Sequence, residues 1–124
     1  MQEPRLEGPF RLMVDDVRSA TRGRTCGVYA LGALRGDGVF AVSFIGASYD
    51  ELNQDLCEKI GTAPYFKYKA FADPEVAFLE LCDLFHAFHP SGNPFHPERP
   101  KGSRLRCPIC DQSVRRPEAN ARRR

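Results

Sequence analysis

Cys107-Pro108-Ile109-Cys110 is the part of this 124-residue chain with the plainest chemical potential. Two thiolates on so tight a turn reach one metal ion, and the only histidines, His86, His89 and His96, all lie shortly before it. Two sulfurs and two imidazoles suit tetrahedral Zn²⁺. The stretch from Phe85 to Cys110 has few apolar residues and much Pro and Gly, so a metal would staple what hydrophobic burial cannot hold. The expected ligands are Cys107, Cys110, His96 and His86, with His89 in reserve. A redox pair is one competing reading, although the strand-and-helix setting of a thioredoxin-type CxxC is absent. A loop with two ordinary thiols is the other. Cys26, Cys57 and Cys82 have no such spacing and read as small core residues in a reducing compartment.

Charge divides the chain in two. Residues 1–98 hold 9 Lys/Arg against 14 Asp/Glu, a net −5, whereas residues 99–124 hold 9 against 2, a net +7. A nucleic-acid binder needs cations facing phosphates. DNA or RNA is therefore expected to meet the tail, at Arg115, Arg116, Arg122, Arg123 and Arg124, rather than the body. A disordered, solvating end is the competing account of the same residues. Arg18, Arg22 and Arg24 add some positive charge further upstream. The first residues are polar and no apolar run approaches the ~18 residues of a membrane span. The expectation is a cytoplasmic protein with no membrane partner.

The elements that must position these groups follow from periodicity. From Gly27 to Ser48 the chain reads as a β-hairpin, with alternation on either side of Arg35-Gly36-Asp37-Gly38, whose glycines suit the turn. Ser48-x-x-Glu51 fits a capping box, and Leu52, Leu56 and Ile60 place a helix over about Tyr49 to Ile60, stopped by Gly61. Pro64 to Phe71 predicts a third strand; its aromatics and lysines would also suit base stacking and phosphate contact. Asp73-Pro74-Glu75 opens a helix reaching Phe88, with Val76, Leu79, Leu81, Cys82, Phe85 and Phe88 as its core side and Ala77, Glu80, Asp83, Leu84 and Ala87 as the wall of a cleft. Pro9 to Val14 reads as a short strand or a packing segment, and Asp15 to Ala20 as a helical turn.

Gly27-Val28-Tyr29, followed by Phe44-Ile45-Gly46, resembles the paired signature of the GIY-YIG nuclease superfamily, with phenylalanine in place of the second tyrosine. The resemblance spans roughly residues 26–95 and includes Glu80 on the later helix and Asn93 after Pro90. Small GIY-YIG-like proteins also end in an HP…CPxC extension, which His96-Pro97 and the CxxC resemble. What this implies is an α+β fold, a small three-stranded antiparallel sheet flanked by helices, with a zinc-stapled C-terminal segment. It also implies metal-dependent phosphodiester hydrolysis on DNA or RNA. Tyr29 would stand near the attacking water, Phe44 in the second tyrosine's place, Glu80 would hold Mg²⁺ or Mn²⁺, and Asn93 would close the site. The family's helix arginine falls on Gln54 or Asp55, neither of which can stabilise phosphorane charge as a guanidinium does, and Lys59 is a weak substitute. Hydrolysis is accordingly expected to be impaired. The alternative is a catalytically inactive module that binds nucleic acid or a protein partner and carries structural zinc.

The organisation expected is a packing segment over 1–25, the GIY-YIG-like domain over 26–95, a CxxC-containing extension over 96–114 and a basic, disordered tail over 115–124. Catalysis on this plan requires Tyr29 and Glu80 to share one pocket.

Overall fold

An unbroken apolar run, buried on both faces from Gly27 to Gly32, places β2 (Gly27–Leu34) inside the sheet. The structure, a computed structural model, describes residues 6–88 together with Pro90, Gly92 and Cys107. In chain order it contains β1 (Glu7–Arg11), α1 (Val14–Ala20), β2, β3 (Phe40–Ser48), α2 (Leu52–Glu58), β4 (Tyr65–Ala70) and α3 (Pro74–Phe88). The fold is α+β, and the sheet is antiparallel throughout, in the order β1-β4-β2-β3. It has four strands rather than the three expected, because Glu7–Arg11 pairs along the outer edge of β4. No described helix is long and apolar enough to cross a membrane.

The β2–β3 turn closes as its sequence predicts. Arg35 and Val39 pair at the turn, Gly38 takes a φ of 84°, and Asp37 Oδ1 accepts the amide of Val39. The alternation along β3, however, is interrupted. Leu31 faces Phe44 while Gly32 faces Val42, so Ser43 is the extra residue of a β-bulge. Its hydroxyl donates to Leu31 O at 3.2 Å. Phe40 and Val42 therefore pack on one side of the sheet with Ile45, and Phe44 turns to the other.

The helices differ from expectation in extent and in rotation. The Ser48 hydroxyl does accept the Glu51 amide, at 3.0 Å, but Ser48 is still the end of β3 and the helix begins at Leu52. That bond bends the chain between the two elements instead of capping the helix, so α2 is shorter than the Tyr49–Ile60 span. For α3 the start is as expected: Asp73 Oδ1 accepts the Glu75 amide at 2.9 Å. Its buried stripe is Ala77, Phe78, Leu81, Cys82, Leu84 and Phe85, while Val76, Leu79 and Phe88 are exposed. Spacings of three, four and seven residues define one face, and including positions 76 and 79 would carry it most of the way round the helix. Ala77 and Leu84 thus serve the core, and Glu80 sits half-buried on the flank.

Two cores result, one on each side of the sheet. Tyr29, Leu31, Phe66 and Tyr68 project towards α1 and α2, meeting Val17, Leu52 and Leu56. Val28, Ala30 and Ile45 project the opposite way and meet α3. This is the period-2 rule applied to one central strand.

Candidate functional site

The registry of β2 and β3 decides where the Tyr29 ring goes. Tyr29 is paired with Gly46, and a Cβ at Gly46 would lie 2.7 Å from both Cζ and the hydroxyl oxygen of Tyr29. The ring occupies the space that any other residue would fill, which gives the second glycine of the motif a steric reason. Phe44 lies beside it, with ring centroids 6.3 Å apart and planes 28° from parallel. The Lys59 ammonium stands 4.7 Å from the centroid of Phe44. Such a cation over a ring face is attracted by the ring quadrupole.

Phe44 and Lys59 form part of a cleft of about 330 Å³ whose other described lining residues are Leu31, Ser43, Thr62 and Gly92. The chain after α2 is held there by Thr62, whose hydroxyl donates to Lys59 O at 2.6 Å, and by Gly61 with its φ of 97°. Gly92 donates its amide to Ser43 O at 2.7 Å. Ser43 and Thr62 are site residues that sequence reading missed. A bulge leaves no mark on apolar alternation unless its partner strand is known.

Tyr29 itself is a poor acid or base here. It is 4 % exposed. Burial first, then the carboxylates of Asp55 and Glu58, push its phenol pKa far above the ordinary value. The hydroxyl remains protonated across the physiological range. Asp55, one of the two positions at which the resemblance implies an arginine, thus sets negative charge beside Tyr29.

The structure does not bring Glu80 to Tyr29. Tyr29 belongs to the core under α1 and α2, whereas α3 covers the opposite face of the sheet. Among the described residues the Glu80 carboxylate makes no hydrogen bond or ion pair, whereas its backbone belongs to α3. The shared pocket required for hydrolysis is therefore absent from the described residues, and the reason is parity: Val28 and Ala30, not Tyr29, are the β2 side chains that face α3. A catalytic divalent ion held by Glu80 would act on the wrong side of the sheet, so the residues do not fit that group. Asn93 lies outside the described residues.

Of the expected zinc ligands, His86 and Cys107 are described and meet, with Nε2 and Sγ 3.3 Å apart. His96 and Cys110 lie outside the described residues, as do His89 and the tail arginines. No group of three or more His, Cys, Asp or Glu side chains converges among the described residues. Cys26 is buried, and its thiol pKa is raised by that burial and then by Asp73 and Asp50, as suits an inert core thiol. Of the β4 aromatics expected to suit base stacking, Phe66 and Tyr68 are buried under α1 and α2, while Tyr65 is half-buried on the strand face it shares with Lys67 and Lys69. Lys67 and Lys69 lie over Phe40 and Phe71 on that face. Arg18, Arg22 and Arg24 are exposed and make no ion pair among the described residues.

Compared with protein-family patterns, curated proteins and solved structures, the chain matches none.

Proposed function

We propose that this chain is a GIY-YIG-like domain that has lost phosphodiester hydrolysis and serves as a nucleic-acid-binding module. The observation that carries the reading is the Lys59 ammonium poised over Phe44 at the wall of an open cleft. A cation beside an aromatic face offers a phosphate its counter-charge and an unpaired base a stacking surface. Single strands, whose bases are free to stack, are the ligand class this combination favours. Ser43 and Thr62 contribute hydroxyl oxygens at the rim, and the tail arginines supply further phosphate contacts.

Hydrolysis is disfavoured on three physical grounds. Tyr29 is buried and kept protonated, Asp55 sets negative charge beside it, and Glu80 stands across the sheet. Phe44 also has no hydroxyl to offer a reacting oxygen.

Fluorescence anisotropy with a labelled single-stranded oligonucleotide tests the reading. Affinity is expected to fall steeply between about 50 and 200 mM salt, and Lys59→Ala is expected to reduce the log–log salt slope by about 0.7, the loss of one single-strand phosphate contact. Wild-type affinity in Lys59→Ala removes the cleft from the account. Plasmid nicking with Mg²⁺ or Mn²⁺ that disappears in Glu80→Ala would restore the nuclease reading.

A further inference from the structure

The α3 side of the sheet holds a second chemistry that depends on nothing in the cleft. His86 lies in the last turn of α3, and its Nε2 stands 3.3 Å from Sγ of Cys107, far along the chain. Cys107 is 8 % exposed and belongs to the buried cluster that contains Leu81 and Leu84. A contact between residues so distant in sequence is made by the fold and not by local geometry. Sulfur and nitrogen bound to one tetrahedral Zn²⁺ are about 3.5 Å apart, given Zn–S of about 2.3 Å and Zn–N of about 2.0–2.1 Å. The observed separation is a thiol–imidazole hydrogen-bond distance and lies within about 0.2 Å of that between two neighbouring zinc ligands. The end of a helix also carries unsatisfied carbonyls and the negative pole of its dipole, which favours a cation there.

We infer that His86 Nε2 and Cys107 Sγ are two ligands of a structural Zn²⁺ that fastens the chain beyond α3 to the end of that helix. On binding, the Cys107 thiol releases its proton to solvent and the imidazole remains neutral, its other nitrogen keeping the ring proton. The CxxC spacing makes Cys110 a sequence candidate for a third ligand; it lies outside the described residues, and the inference stands on the described pair. The same pair would otherwise be a thiol–imidazole hydrogen bond or an activated thiolate. Burial of Cys107 favours zinc over the activated thiolate, which needs access to its target, and the CxxC spacing favours it over a simple hydrogen bond.

Elemental analysis of the full chain, purified without chelator or immobilised metal, tests this. About one zinc per chain is expected, and replacement by Co²⁺ should give thiolate-to-cobalt charge transfer in the near ultraviolet. Cys107→Ser and His86→Ala should each weaken metal retention at least tenfold, while Cys57→Ser, on the other side of the sheet, leaves it unchanged. Should Cys107→Ser fail to fold, His86→Cys supplies the second readout: it retains a ligand and intensifies the charge-transfer band. Metal-free protein with the same melting temperature in chelator, and no charge transfer on Co²⁺ titration, overturns the inference. Rapid alkylation of Cys107 by iodoacetamide in the untreated protein does so as well, and marks an activated thiolate instead.

Discussion

The two sides of the sheet are built from the same central strand and reach opposite chemical characters. Towards α1 and α2, β2 contributes Tyr29 and Leu31, and the outcome is a buried phenol beside acidic groups, next to an open cleft with one lysine. Towards α3 it contributes Val28 and Ala30, and the result is an apolar core that also holds Phe78 and the thiols of Cys26 and Cys82, with a sulfur–imidazole contact at its margin. A central strand cannot deliver adjacent residues to one site. Any function that needs Tyr29 and a group on α3 together is blocked by strand parity before electrostatics enters.

If the two cores are separate, damage to one should not propagate to the other. Leu56→Ala and Leu81→Ala, at fully buried positions on opposite sides, should each cost about 2–5 kcal/mol in urea denaturation. The double variant should add them within about 0.5 kcal/mol; strong coupling would merge the two cores into one. Gly46→Ala sharpens the comparison at the Tyr29 side alone. Its new methyl meets the tyrosine ring, so a loss of about 1–3 kcal/mol is expected, and it should be non-additive with Tyr29→Ala, which clears that space.

A smaller effect appears at high pH and is shared by both sides, because burial raises the phenol of Tyr29 towards α1 and α2 and that of Tyr49 towards α3. Tyr29 has a raised phenol pKa when folded, so its contribution is fully present below the unfolded value of 10.0 and is lost as pH rises towards the folded value. Stability should therefore decline above about pH 10, and less so in Tyr29→Phe, as measured by urea midpoints across the alkaline range. Absorbance titration should show two tyrosines, Tyr29 and Tyr49, that resist ionisation until the chain unfolds. The smallest effect belongs to the surface: Arg11 and Asp16 pair at 3.2 Å with the arginine largely exposed, and Asp16→Asn should leave the midpoint unchanged within error.

How far the sequence foretold this depends on whether the signal was local. The hairpin turn and the Asp73 cap were readable because their chemistry lies within a few residues. β1 was open in the sequence because it is short and has no clear alternation; β4's edge completes it. The Ser43 bulge was invisible for a related reason, since only the partner strand reveals the extra residue. The rotation of α3 depended on which sheet face it covers, and this also hid the separation of Glu80 from Tyr29. The meeting of His86 and Cys107 was expected as part of a ligand set. Motif chemistry suggested it, not proximity in sequence.

The bulge in β3 has a bearing on association between chains. β3 is an outer strand of the sheet and, at nine residues, the longest one, the kind of border that invites a neighbour's strand to extend the ladder. At Ser43 its regular pleat breaks and the carbonyl is already taken by the amide of Gly92. An incoming strand would find the middle of that border out of step and spoken for, and the chain is thereby guarded against stacking edge to edge with its own copies.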